Sequence, residues 1–365
     1  MTGATGAAQR FAAGVQLLDR GDFAGAEREL RRALALYPGQ AETHYKLANA
    51  CKEQGKLTEA ERHYLAAIAL APRHAEAYNN LGAAQQLMQR MQEAEASYRR
   101  AIAAKPALSQ PYLNLGRLLQ QLGQAEAARA CYAQALAQGL EPGVFQHLLD
   151  AVEGASTAQA PPDYVRATFD GFAGQFDRHL TDTLDYHVPE LLSSALRETS
   201  LPAQLDMLDL GCGTGLCGEQ LRDLARRMVG VDLAPKMLEH ARRRGCYSEL
   251  VVADAGQYLA AQAPASFDLV LAADVLIYIG DISRLVREVA RVLRPGGRFA
   301  FSIEQPSHAC DSYRLEPSGR YAQSLAYVRG LAREAGFAER SCREAVIRKH
   351  GAQTLPGQLL VLQRP

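Results

Sequence analysis

Small and apolar residues recur through the first 142 residues of the chain with a period of 34. Aligning residues 7–40, 41–74, 75–108 and 109–142 puts a small residue at position 8: Gly14, Ala48, Gly82 and Gly116. Position 20 is alanine throughout (Ala26, Ala60, Ala94, Ala128), as is position 27 (Ala33, Ala67, Ala101, Ala135). Position 24 is large (Leu30, Tyr64, Tyr98, Tyr132), and position 32 is Pro38, Pro72, Pro106 and then Leu140. From residue 205 the pattern changes. Apolar runs near 205–210, 228–232, 249–253, 267–273 and 298–304 predict strands, with helices between them. A helix over Tyr321–Ala335 is expected next, then strands near 338–347 and 357–363. Such alternation implies a parallel sheet with helices on both faces and ligands at the carboxyl ends of its strands.

The first pattern resembles the tetratricopeptide repeat in length and signature positions. The resemblance implies two antiparallel helices per unit, which the small residues allow to approach, while the large residue fills the gap left between units. Gly21, Gly55 and Gly123, with Gln89 in the third unit, fall where the first helix turns into the second. Leu140 in place of proline marks the end of the array, and residues 143–152 are expected to cap its open face. Arrays of this kind curve, and their first helices line the concave side. Tyr45, Asn49, Asn79, Asn80, Asn114 and Arg117 fall there. Asn80 and Asn114 occupy one position in successive units, similar to the asparagine ladder of repeat-containing sugar transferases. A protein or peptide partner held by Asn49, Asn80, Asn114 and Arg117 is therefore expected. A solvated helix face and self-association of the repeats are the alternatives.

The chemistry concentrates at residues 207–215, Met-Leu-Asp-Leu-Gly-Cys-Gly-Thr-Gly, an apolar strand running into a glycine turn. Glycines there let backbone N–H groups and a helix N-terminus approach a ligand closely. The next apolar run ends on Asp232, an acidic group able to accept from both hydroxyls of a ribose. Together they point to a nucleoside-cofactor site. Gly213–Gly218 formally matches the dinucleotide fingerprint, but such a match alone is weak. Asp209 lies two residues before the first glycine, where it would repel a diphosphate and suit an ammonium and a sulfonium.

Residues 164–365 resemble a class I S-adenosylmethionine-dependent methyltransferase. The resemblance rests on Asp209-Leu-Gly-Cys-Gly-Thr-Gly215, Asp232, Ala253-Asp254-Ala255 and Leu293-Arg-Pro-Gly-Gly297. It implies a Rossmann-like, seven-stranded sheet ending in a reversed hairpin, so that the fold class is α plus α/β. S-adenosyl-L-methionine is the implied cofactor. Gly211, Cys212, Gly213 and Gly215 would pass beneath its methionyl part, and Asp209 would hold the ammonium. Asp232 would take the ribose, Leu233 would lie against the adenine, Asp254 and Ala255 would read the adenine edge, and Ala272 would offer its carbonyl. The helix N-cap is the plain alternative for Asp232 and Asp254. Phe169, Phe172 and Phe176, at helical spacing, are either a core stripe or a lid over the cofactor.

For the transfer itself the candidates are Asp274, Tyr278, Glu304, His308 and Asp311, with Arg320 and Tyr321 placed to hold an anionic group. No single base stands out. The expected domains are residues 1–153, repeats with a capping helix; 154–163, a linker of small residues and prolines; and 164–365, the methyltransferase. The leading expectation is methyl transfer to an O or N nucleophile of a small-molecule or carrier-bound substrate, the repeats recruiting a partner. An adaptor whose second half only binds cofactor is the alternative. A dinucleotide oxidoreductase fails on Asp209.

Composition narrows this only a little. Lys+Arg and Asp+Glu each number 40, so no global field draws the chain to nucleic acid or an anionic membrane. The N-terminus lacks a signal-peptide pattern, and no apolar run approaches a bilayer span. Seven cysteines without a paired spacing read as buried thiols of a reducing, cytoplasmic setting, with no metal site.

Overall fold

The computed structural model describes residues 2–170, 186–350 and 353–365. These form two compact units, Met1–Leu149 and Asp150–Pro365. The first is four helix pairs, one for each 34-residue unit: α1 (Thr2–Asp19) with α2 (Phe23–Leu36), α3 (Ala41–Glu53) with α4 (Leu57–Leu70), α5 (Ala75–Leu87) with α6 (Met91–Ala104), and α7 (Ser109–Gln121) with α8 (Ala125–Ala137). Gly21, Gly55 and Gly123 take φ values of 77°, 74° and 73° at the turns, and Gln89 takes the same left-handed conformation at φ 63°.

The large residue at position 24 does something different from what the repeat implied. It packs inside its own unit. A Cβ built on Gly82 would lie 2.7 Å from the Tyr98 ring, one on Gly116 2.1 Å from Tyr132, and one on Gly14 2.6 Å from Leu30. The tyrosine rings need the volume that a side chain on the facing helix would occupy. Their hydroxyls return to the same unit: Tyr64 donates to Asn49 (2.7 Å) and Tyr98 to Gln86 (3.0 Å). Burying each ring is worth roughly 2–3 kcal/mol, which is why the pairing recurs. α9 (Pro142–Glu153) follows, and its buried Phe145 sets its ring edge-on to Tyr112 at 6.3 Å, covering the last pair.

The second unit opens with α10 (Pro162–Asp170) and α11 (Val188–Arg197), then alternates: β1 (Leu205–Leu210), α12 (Leu216–Leu221), β2 (Ala225–Asp232), α13 (Pro235–Arg244), β3 (Glu249–Val252), α14 (Ala255–Ala261), β4 (Phe267–Ala272), α15 (Ser283–Val292) and β5 (Leu293–Glu304). A short hairpin, β6 (Tyr313–Leu315) and β7 (Tyr321–Gln323), precedes α16 (Leu325–Glu334), β8 (Ala338–His350) and β9 (Gln353–Gln363). The seven-stranded sheet runs β3-β2-β1-β4-β5-β9-β8, parallel through β5, with β9 antiparallel to both neighbours. Strand order reverses between β1 and β4, so the crevice opens at their carboxyl ends. At the opposite end Arg294, of the Leu-Arg-Pro-Gly-Gly turn, pairs with Asp206 (3.0 Å) and Asp268 (2.8 Å) and ties the starts of β1 and β4 together.

Two departures from the sequence reading bear on the site. The expected helix at Tyr321 starts at Leu325, because residues 321–323 are spent pairing with β6 and the Ser324 hydroxyl caps the Tyr327 N–H. And the segment expected to be a linker is strapped onto the second unit. The Ala160 N–H donates to the Tyr278 carbonyl (2.9 Å), Ala158 accepts from Gly280 (2.8 Å) and Asp281 (2.9 Å), and the Thr157 hydroxyl bonds Tyr321. Residues 157–160 thus belong to the second unit.

Candidate functional site

β1 delivers Asp209 to the crevice with 1% of its surface exposed. Burial pushes its carboxyl up to about 7, the nearby Asp232 charge adds to the rise, and the Tyr247 hydroxyl, donating to it at 2.7 Å, opposes it. The chain then turns through Gly211, Gly213 and Gly215 at φ 60°, 54° and 93°. Glycine takes these angles without strain, whereas other residues do so at a cost. Space also forbids a side chain at Gly211, where a Cβ would sit 2.5 Å from Val275, and at Gly215, where it would sit 2.9 Å from Tyr247. Gly213 is different: a Cβ there would meet the Met237 methyl at 3.6 Å, an ordinary contact, so its backbone angle and not crowding is what asks for glycine. Cys212 is buried beside it, its amide donating to the Val231 carbonyl at 3.0 Å and its thiol pushed well up by burial.

Asp232, at the tip of β2, accepts from the Gly213 N–H (2.9 Å) on one oxygen and from the Ala234 N–H (2.8 Å) on the other. It is half-buried, as is Leu233. Asp254 caps α14 by accepting from the Gln257 N–H at 3.0 Å, with half-buried Ala255 next to it. Ala272 is fully buried at the end of β4. Phe169 on α10 packs on Ala234 and Met237 and meets the Tyr278 ring edge-on at 5.5 Å. It therefore spans from the start of α13 to the turn after β4. Phe172 and Phe176 lie outside the described residues.

Just past the end of β4 stands Asp274, a non-glycine residue at φ 56° whose N–H donates to the buried Ser302 hydroxyl at 2.8 Å. Arg348 of β8 donates to Asp274 at 2.7 Å and lies 2.9 Å from Glu304, at the end of β5. Arg320 stands 3.8 Å from Glu304. Tyr278 is half-buried and pushed up to about 12 by burial. Tyr321 is fully buried within the β6–β7 hairpin, and its hydroxyl bonds Thr157. His308 and Asp311 are exposed on the loop after β5, and His308 bonds only its neighbour Ser307 among the contacts described here (2.9 Å).

Three residues of this site escaped the sequence reading: Arg348, Tyr247 and Ser302. Arg348 did carry a signal. It follows Ala345-Val346-Ile347, and a charged residue inside an apolar strand register is unusual. A register shift between Val346 and Arg348 turns it inward behind Ile347. Tyr247 had none. Its ring lies under Gly215, Gly218 and Gly230, and only the fold brings those together.

A family model described as a methyltransferase domain matches residues 208–301, and models described as tetratricopeptide repeats match 11–61, 39–107 and 109–137. The chain carries a class I methyltransferase domain behind tetratricopeptide repeats. It is 30% identical over 156 residues to the ubiquinone biosynthesis O-methyltransferase of Xanthomonas oryzae pv. oryzae, covering 40% of this chain and 65% of that protein. To the enzyme of the same name from Idiomarina loihiensis it is 37% identical over 99 residues, 26% of this chain and 41% of the relative. The chain thus spans less than two thirds of the length of these relatives. The crystal structure of the N-methyltransferase NodS from Bradyrhizobium japonicum, in complex with S-adenosyl-L-homocysteine, is 20% identical, covering 55% of this chain and 98% of that one at a TM-score of 0.45. No helix among the described residues is long and apolar enough to cross a membrane.

Proposed function

We propose that the chain is an S-adenosylmethionine-dependent methyltransferase acting on an O or N nucleophile of a small-molecule or carrier-presented substrate, with the repeats recruiting a protein partner. The observation that carries it is the meeting of Asp209, the glycine turn and Asp232 at the adjacent ends of β1 and β2, with the Gly213 N–H bonded to the Asp232 carboxylate. The residues fit the cofactor. Asp232 has its carboxylate fixed by two backbone N–H groups at the end of β2, where it would take the ribose. A buried Asp209 that titrates near 7 gains an ionised state when an ammonium group arrives beside it. Leu233, Asp254, Ala255 and Ala272 surround the rest, and Cys212 fills the turn without crowding it. The bound cofactor supplies an electrophilic methyl on a sulfonium. The protein aligns the nucleophile and removes a proton where one must leave. Phe169, bridging Met237 and Tyr278, is placed to keep water from the crevice.

Calorimetry with S-adenosyl-L-homocysteine tests this. The wild type should bind it, and Asp232→Ala should weaken binding by roughly 1.5–3 kcal/mol, the scale of hydrogen bonds to a charged group. Tight NADH binding with no affinity for the sulfonium cofactor or its product would overturn the reading.

A further inference from the structure

Burying an arginine and two carboxylates together is costly: each ion loses several kcal/mol of solvation, and an apolar cluster of the same volume is often at least as stable. Among Arg348, Asp274 and Glu304 the exposed side-chain surface is 7%, 16% and 6%. The sheet around them is apolar, so stability alone does not account for the cluster. Its location does. It sits at the carboxyl ends of β4 and β5, next to Ala272, where an acceptor must lie if a methyl is presented from the glycine turn.

We infer that Arg348 is the positioning residue of the acceptor side, holding the Glu304 carboxylate in place to take the proton released by an O–H or N–H acceptor. This rests on the methyltransferase reading above. One guanidinium nitrogen, Nη2, reaches both carboxylates, 2.7 Å to Asp274 and 2.9 Å to Glu304, while the Glu304 Oε1 nearest it makes no aligned hydrogen bond and the Arg348 Nε has no partner. Arg348 thus ties the two carboxylates together through a single nitrogen, and the Glu304 Oε1 keeps accepting capacity. Asp274 extends the hold to the cofactor side, because its left-handed backbone carries Val275 to within 2.5 Å of where a Cβ on Gly211 would stand. The charged groups facing Glu304 are Arg348 from β8, Arg320 ahead of β7, Asp274 after β4 and Glu316 after β6. Burial lifts its proton affinity above the ordinary carboxylate range, Asp274 and Glu316 add to that, and the two arginines pull it back. That balance makes Glu304 take up a proton more readily than an ordinary exposed carboxylate does, as a proton acceptor requires. When the acceptor's lone pair takes the methyl, the carbon–sulfur electron pair returns to sulfur and the acceptor's proton passes to a Glu304 oxygen. Charge and atoms balance without a further reactant. The site therefore favours acceptors that carry a removable proton, a phenol or an amine or amide N–H, over tertiary amines and thioethers.

The test is a carboxyl-carbon NMR titration of Glu304 in the full-length protein, assigned with Glu304→Gln, for wild type, Arg348→Lys and Arg348→Gln. Arg348→Gln should raise the Glu304 midpoint by about one pH unit or more, a tenfold gain in proton affinity, and Arg348→Lys should restore most of it. S-adenosyl-L-homocysteine affinity should stay within about threefold of wild type in both, since Arg348 is outside the cofactor turn. A Glu304 midpoint unmoved in folded Arg348→Gln would overturn the inference. If that variant does not fold, the wild type decides alone: the Arg348 guanidinium nitrogen signals should titrate with the Glu304 midpoint, and signals that stay flat would overturn it equally. Loss of homocysteine-cofactor binding in the wild type would instead sink the methyltransferase reading, whatever Glu304 does.

Discussion

Replacing Asp209 with asparagine separates what the fold wants from what the ligand wants. The carboxyl is 1% exposed and pushed from its ordinary 3.8 up to about 7. Because the folded value is raised, the stability it contributes is complete below pH 4 and is lost as the pH rises to 7. Ionising it at pH 8 costs the fold about 4 kcal/mol, the shift of roughly three units converted at 1.36 kcal/mol each. Asparagine removes that cost and still accepts the Tyr247 hydroxyl, but its buried amide hydrogens lack a partner, which returns about 1–3 kcal/mol. Between pH 5 and pH 8 the stability of Asp209→Asn relative to wild type should increase by about 2.5 kcal/mol, a difference in which the amide penalty cancels. Urea unfolding at the two pH values measures it.

Binding should move the opposite way. At pH 8 the variant should bind S-adenosyl-L-homocysteine about 1.5–3 kcal/mol more weakly, having lost a charged partner for the ammonium. Wild-type affinity should fall about tenfold from pH 8 to pH 6 as the free carboxyl takes up its proton, and the variant's should not. A constant stability offset between pH 5 and pH 8 would refute the reasoning, because it would mean that Asp209 is already ionised and paired in the free protein.

Four other outcomes follow from the geometry. Gln89→Gly should stabilise the repeats by about 0.5–1 kcal/mol in urea unfolding, since an exposed glutamine holds a left-handed turn that glycine holds in three sister units. Gly116→Ala should cost about 1–3 kcal/mol by the same assay, because its methyl would press into the Tyr132 ring. A fragment beginning at Gly154 should fold and bind S-adenosyl-L-homocysteine, whereas one beginning at Pro161 should melt lower, having lost the 157–160 strap on the turn that carries Tyr278; equal melting would show the strap to be dispensable. Asn80→Ala, Asn114→Ala and Arg117→Ala together should leave cofactor affinity unchanged and reduce partner pulldown, or raise KM without altering kcat if the partner is the substrate; homodimer loss with an intact partner profile would assign the repeats to self-association.

What could be read from the sequence depended on how local its cause was. The 34-residue period survives translation into structure because each small residue faces a large one sixteen positions later in its own unit, so the steric demand is written within a short stretch. The glycine turn and Asp232 were legible for a similar reason: positive φ angles and a backbone N–H bonded to a carboxylate constrain residue type directly. The asparagines are an intermediate case. Their spacing was visible, but the structure shows them bonded to one another across units, Asn80 to Asn49 at 3.0 Å and Asn114 to Asn79 at 2.9 Å. Part of each amide is therefore spent on joining repeats. Arg348, Tyr247 and Ser302 were missed because their partners come from distant strands and their positions depend on sheet register. Arg348 turns inward only because β8 slips register beside Ile347. Strand β7 was read as the start of a helix since three residues of strand are too few to set a period of two. The cofactor side of this site is thus encoded by backbone geometry, which a sequence displays. The acceptor side proposed above depends on tertiary placement of charge, which a sequence does not display.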